Sequence, residues 1–350
     1  MKPASNPVST AAGGAARTAV DPFALSLNEN PFPPLPAVRS ALVRSIDAVN
    51  RYPEVLPERL RHVIAGRIGV HPNQVVLGAG ATGVILQALH ALTDPGDTIV
   101  MAAPTFDGYP IVAQMTRLNS VTVPLDQDGH HDLDALAEAA VDARVVVVCR
   151  PHNPTGTLEP TAAVLDFLRR VPSTTIVLLD EAYIEFVAPE HRIDASELIA
   201  CFPNVVVVVR TFSKAYGLAG LRIGYGLAAA ELTRTLWAHQ LPFGIAITSL
   251  VAVAASYAAE DQLLHRVRLI TAERGYLRMR LSGMGIYTTD AHANFTYLPP
   301  SGRVHRDAFA QTGLHVRCYP DGGARITVGN RASSLAVLSA LGRPTARTAR

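Results

Sequence analysis

One lysine in this chain stands where a reactive amine would be useful. Across 350 residues lysine occurs twice, as Lys2 and Lys214, against 29 arginines. A coding bias toward arginine accounts for the surface. It does not account for Lys214 surviving inside the apolar, glycine-rich segment 210–225, RTFSKAYGLAGLRIGY. A guanidinium stays protonated in proteins, whereas a lysine amine in a dry site can lose its proton and attack a carbonyl. The retained amine therefore points to covalent chemistry with an aldehyde cofactor.

Pyridoxal phosphate is the leading candidate, and it asks four things of a protein. It needs a lysine for its aldehyde, a carboxylate to keep its pyridine nitrogen protonated, donors for its phosphate and an aromatic face for its ring. Asp180 ends the apolar run 175–179 and precedes Glu181, Ala182 and Tyr183. A carboxylate at the carboxyl end of a buried strand is costly unless paired, and a pyridinium is a suitable partner. Taken alone, a helix cap or surface turn explains it as well. Tyr183 is placed to donate to the phenolate oxygen of the cofactor. Asn153, in PHNPTG 151–156, precedes a proline that holds its backbone extended and aims its amide at the same oxygen. His152 beside it reads as structural. Gly80, Ala81 and Thr82 lie in the turn GAGATG 78–83 between a strand and a helix, where free amides attract phosphate. Ser213 and Arg222 flank Lys214, and a guanidinium grips phosphate oxygens with two prongs. Phe106, in PTFDGY 104–109, is the ring-stacking candidate, with a plain core phenylalanine as the alternative.

The elements that must position these residues are legible as short β-branched runs with helical patterns between them. The runs are 74–77, 98–102, 120–124, 144–149, 175–179, 205–209 and 223–227. Runs such as VVVV at 145–148 are apolar on both faces, as in parallel strands covered by helices on two sides. Helices are predicted over 82–92, 133–141 and 161–170, at crossover lengths. The candidate residues cluster where strands end and helices begin, the crevice in which open α/β sheets bind ligands. After residue 244 long helices are predicted over 246–259 and 261–283, then strands at 295–298 and 325–328 and a last helix near 333–341. This predicts an α/β chain in three parts. Residues 1–49 form an N-terminal segment packing on the small domain, 50–255 a large cofactor-binding domain, and 256–350 a smaller α+β domain.

Bulk composition narrows the function class. A net charge of +2 and 17% charged residues argue against nucleic acid or an anionic membrane as partner. Three cysteines without metal-ligand spacing suit a reducing cytoplasm, and no metal is expected. No signal peptide and no apolar run of spanning length is evident.

The chain resembles the histidinol-phosphate aminotransferase family, with its aromatic-aminotransferase relatives, among the type I pyridoxal-phosphate enzymes. The likeness runs over residues 26–330. It is carried by LNENP 27–31, NRYPE 50–54, HNPTG 152–156, DEAY 180–183 and 210–226. The resemblance implies a large domain with a seven-stranded, mostly parallel sheet, and a homodimer with shared active sites. It implies that Tyr52 reaches the neighbour's site, that Arg325 binds the substrate's anionic group and that Arg317 supports it. Asn294 sits at a family position without an assigned role. The activity implied is amino transfer between histidinol phosphate or an aromatic amino acid and a 2-oxo acid such as 2-oxoglutarate.

Three departures from the family pattern leave the substrate open. The arm before residue 26 is short, the phosphate turn carries Ala81-Thr82-Gly83 in place of an acidic pair, and Arg150 precedes Pro151. Arg150 is expected to serve an unusual anionic substrate or an external salt bridge. A decarboxylase of a phosphorylated amino acid would use the same lysine, aspartate and arginines. A non-catalytic module within a regulator would need a DNA-binding domain that the first fifty residues cannot hold.

Overall fold

The computed structural model describes residues 20–301 and 305–342. Lys2 and the N-terminal segment before residue 20 lie outside them. Eleven strands form two sheets among the described residues. They are β1 (Ala24–Leu25), β2 (Val75–Gly78), β3 (Thr98–Ala103), β4 (Asn119–Pro124), β5 (Val145–Cys149), β6 (Ile176–Asp180), β7 (Val206–Thr211), β8 (Gly224–Leu227), β9 (Phe295–Leu298), β10 (His315–Cys318) and β11 (Ala324–Thr327).

The larger sheet runs β2-β8-β7-β6-β5-β3-β4, and only β8 is antiparallel to its neighbours. This is the seven-stranded, mostly parallel sheet that the sequence predicts. The strands β5 and β6 are buried along their whole length, as their two-sided apolar sequences require. Helices Gly80–Leu92 and Thr161–Arg170 cover opposite faces, contributing Val84 and Leu89 to one core and Val164 and Phe167 to the other. One rim collects the chemistry. The parallel strands β2, β3, β5, β6 and β7 end there and deliver Gly80, Phe106, Asn153, Asp180 and Lys214 respectively. The reversed strand β8 instead begins at that rim, so Arg222, just before it, arrives on the same side.

The smaller sheet runs β1-β10-β11-β9 and packs with Leu277, Leu281, Phe309 and Val337 around Leu298 and Ile326. Helix Glu260–Gly283 joins the two bodies. At 1.5 Å per residue its 24 residues span about 36 Å, so Ile270 reaches the large core while Leu277 and Leu281 reach the small one. The N-terminal segment makes two attachments. Its strand β1 pairs with β10, and its helix Pro36–Ser45 lies against helix Ile247–Ala258. The sequence pattern did not reveal β1 or β10: two residues carry no periodicity, and HVRC is short and mostly polar.

The sheet and the Gly80–Ala81 turn meet with no room to spare at Gly224. A Cβ there would lie 2.5 Å from the Gly80 carbonyl carbon and 2.6 Å from the Ala81 nitrogen. Both are backbone atoms and cannot swing aside. Gly224→Ala is expected to cost about 1–3 kcal/mol, as overpacking does. Thermal unfolding should show the midpoint falling by several degrees; an unchanged midpoint would refute this close packing.

Candidate active site

Lys214 follows β7 through Phe212, a fully buried anchor, and Ser213. Its Nζ donates to the Leu27 carbonyl at 3.0 Å and lies 5.9 Å from the centre of the Tyr183 ring. The side chain is half-buried rather than sealed in the core. Burial pushes the amine down to about 8, and the Arg325 charge adds to the effect, while Glu29 and Asp180 oppose it.

Asp180, the last residue of β6, is buried but not orphaned. Its Oδ2 accepts from the Tyr109 hydroxyl at 2.6 Å and its Oδ1 from the Ala182 N–H at 3.0 Å. Burial raises its pKa, while Tyr109, Ala182 and the Lys214 charge pull it back. The site thus holds a dry carboxylate and a tunable amine within electrostatic reach of each other.

Around that pair the other candidates fall into two groups. The first is an oxyanion cradle. Helix Gly80–Leu92 starts without a side-chain cap, leaving first-turn amides free at Gly80, Ala81 and Thr82. Arg222 adopts a left-handed backbone, φ 51°, and its guanidinium is held by the carbonyls of Ala219 at 2.8 Å and Ala79 at 3.1 Å. Gly80, at φ +76°, leaves room for that guanidinium, since a Cβ would sit 2.5 Å from Nη2. The hydroxyl of Thr211 donates to Ser213 Oγ at 3.0 Å, fixing that side chain beside Lys214.

The second group lies on the small-sheet side. Arg325 donates to Asn153 Oδ1 and to the Ser26 carbonyl, and its guanidinium lies over the Phe295 ring. Bonding through Oδ1 leaves the NH₂ end of the Asn153 amide as its donor. Tyr183 is buried, and its hydroxyl accepts from Asn28 Nδ2 at 2.9 Å. Burial raises the Tyr183 phenol, so it stays neutral and able to donate. Arg317 pairs across the sheet with Arg325 and meets Asp107 Oδ2 at 2.8 Å. Phe106 is half-buried, with its ring edge-on to Tyr109 at 5.3 Å.

Two residues behave differently from the rest. Tyr52 is 84% exposed, its ring against Phe243 at 5.1 Å, beside a hollow of about 360 Å³ lined by Leu60, Ile245, Leu250 and Val251. The expectation for Arg150 is corrected. It is buried and donates to the carbonyls of Glu159 and His191, so it serves neither substrate nor an external salt bridge. It braces the turn that presents Asn153. His152 is structural, as the sequence suggests: it is fully buried, bonds the Pro104 carbonyl at 3.0 Å, and burial holds it neutral at about 3.

Sequence reasoning missed four contributors. Tyr109 sits in the quoted motif 104–109, but only the fold brings its hydroxyl to Asp180. Asn28 and Asn30 belong to LNENP; Asn30 Nδ2 donates to the carbonyls of Lys214 and Ala215. Asp107 was overlooked because its partner lies 210 positions away in the chain.

Comparison with known proteins places these residues in a family. The family profile described as aminotransferase class I and II matches residues 20–336. An aromatic amino acid aminotransferase of Cutibacterium acnes is 41% identical over 320 residues, 91% of each chain. One from Streptomyces avermitilis is 41% identical over 310 residues, 88% of this chain and 86% of that one. Among solved structures, the histidinol-phosphate aminotransferase of Sinorhizobium meliloti in complex with pyridoxal-5'-phosphate superposes with a TM-score of 0.84 at 27% identity, covering 91% of this chain and 89% of that one. The chain belongs to the class I and II aminotransferase family. Among the described residues no helix is long and apolar enough to cross a membrane, and no cluster of His, Cys, Asp and Glu has the makings of a metal site.

The lysine gives a direct check. Modification of Lys214 by a small aldehyde and borohydride, followed by peptide mass spectrometry, should reach half its maximum near pH 8. Because Arg325 helps depress the amine, Arg325→Gln should move that midpoint upward. A wild-type midpoint at the ordinary lysine value of 10.5 would contradict the burial described.

Proposed function

We propose that this aminotransferase uses pyridoxal 5'-phosphate to move an amino group from an aromatic amino acid to a 2-oxo acid such as 2-oxoglutarate. The observation that carries the proposal is a buried Asp180 carboxylate within electrostatic reach of the Lys214 amine, with Arg222 and the uncapped start of helix Gly80–Leu92 close by. The relatives at 41% identity support the aromatic donor.

The residues present fit this cofactor. The free amides of Gly80, Ala81 and Thr82, with Ser213 and Arg222, suit its phosphate. Asp180 suits a protonated ring nitrogen, Asn153 and Tyr183 offer donors for a phenolate oxygen, and Phe106 offers a ring face. When bound, the cofactor supplies an electron sink that lets an amino group leave one carbon and be delivered to another. Tyr109 and the Ala182 N–H hold Asp180 anionic and aimed. Lys214 takes the α-proton of the substrate and returns a proton later, a task suited to an amine titrating near 8. Arg325, fixed by Asn153 and Ser26, orients the substrate by its carboxylate.

The domain division at residues 49/50 and 255/256 is part of the same reading. The seven strands of the large sheet fall within 50–255, and β9, β10 and β11 fall after 256. A homodimer is supported by the exposed apolar side chains Val55 and Phe243 beside Tyr52, with Val43, Ile46, Val49 and Leu241 also exposed. In it, Tyr52 serves the neighbouring site. Free cysteines at Cys149, Cys201 and Cys318 support a reducing, cytoplasmic location.

Purified protein loaded with pyridoxal phosphate should form phenylpyruvate from phenylalanine beyond one equivalent per site only when 2-oxoglutarate is present, and Lys214→Ala should abolish this. Release of carbon dioxide without the oxo acid would overturn the reading in favour of a decarboxylase. Mixed dimers test the shared site. Lys214→Ala co-assembled with Tyr52→Phe should restore activity, because one site then has an intact Lys214 and an intact Tyr52. No recovery in a confirmed mixed dimer would refute the Tyr52 assignment.

A further inference from the structure

We infer that Asp107 cancels the charge of Arg317 and so fits the anion site to a carboxylate rather than to a phosphate monoester. This deepens the function proposed above and rests on Arg325 as the anion clamp.

Arg317 and Arg325 are directly opposite on β10 and β11, so both side chains leave the same face of the small sheet. Two guanidinium groups side by side carry two positive charges, a match for the near-dianionic phosphate ester, which bears about −1.5 to −2 at neutral pH. In this chain the second charge is already answered. Asp107 Oδ2 lies 2.8 Å from Arg317 Nη2. Asp107 precedes helix Gly108–Met115 at its N-cap position, where an aspartate commonly bonds the helix's own amides. It makes no such cap, and its carboxylate turns to Arg317 instead. The three charges converge on one phenol: Tyr319 is pushed up by burial, lowered by Arg325 and Arg317 and raised by Asp107. The Arg317 guanidinium stands 5.5 Å from the Tyr319 ring centre.

Of the two paired arginines, Arg325 has no carboxylate partner among the described residues, and its guanidinium is anchored by Asn153 and Ser26 instead. One cation matches one carboxylate. A phosphate monoester would meet the Asp107 carboxylate as a like charge. Because Asp107 is the residue after Phe106, the selection is exerted from the same loop that offers the ring face.

The test measures binding to the cofactor-loaded dimer, whose phosphate cradle is filled, with two inert anions, inorganic phosphate and 3-phenylpropionate. Wild-type protein should prefer the carboxylate. Asp107→Asn should raise the affinity ratio of phosphate to phenylpropionate by about fivefold or more, since removing a neighbouring negative charge favours the dianion most, even at an open site. In Asp107→Asn/Arg317→Gln the gain should vanish, because the freed cation is gone. Asp107 is largely exposed, so the substitution does not threaten the core. An unchanged ratio in Asp107→Asn, or a gain that persists without Arg317, would overturn the inference. Phenylalanine turnover by wild type is scored separately: its absence would sink the proposed function while leaving the anion ratios readable.

Discussion

A carboxylate buried at the end of a central strand is the constraint that organises this molecule. Removing Asp180 from water costs several kcal/mol unless donors and a cation replace the lost hydration. The chain supplies two donors, the Tyr109 hydroxyl and the Ala182 N–H, and sets the Lys214 amine across from them. The donors alone do not return the group to its ordinary range, since burial still raises it. A protonated heterocycle between Asp180 and Lys214 would complete the compensation. It would also lose its own proton less readily there, which is the state an electron-accepting ring requires.

The segment LNENP connects this centre to the small sheet. The carbonyl of Leu27 accepts from Lys214, Asn28 holds the Tyr183 hydroxyl, and Asn30 fixes the backbone at Lys214 and Ala215. Asn28 is itself tied to the small sheet through Thr327 and Asn294. Thr327 is two positions along β11 from Arg325, so the same strand steadies both that guanidinium and the residue that orients Tyr183. A left-handed backbone at Asn28, φ 54°, makes this turn, and asparagine tolerates that conformation better than most residues. The contacts give a physical reason for a short N-terminal strand to matter far more than its two paired residues suggest.

Much of this was legible in the sequence because buried parallel strands write themselves as β-branched runs. VVVV at 145–148 and the run ending at Asp180 could hardly be anything else, and the rim residues follow from where such runs stop. Lys214 was conspicuous against a background of arginine. What could not be read were pairings between distant residues with ordinary local sequence. Tyr109 looks like any core tyrosine until β3 and β6 are placed near each other, and Asp107 looks like a helix cap until β10 brings Arg317 to it. Arg150 misled for a related reason. A charge beside a functional motif suggests a ligand contact, but here the guanidinium turns inward to carbonyl oxygens.

The central claim is that Asp180 keeps a bound pyridine ring cationic. Nitrogen magnetic resonance of cofactor carrying an isotope-labelled ring nitrogen, bound to the wild-type protein and to Asp180→Asn, reads that protonation state directly. A pyridinium resonance in the wild-type protein across the neutral range, replaced by that of a neutral pyridine in the variant, is the expected result. A neutral pyridine resonance in the wild-type protein would contradict it.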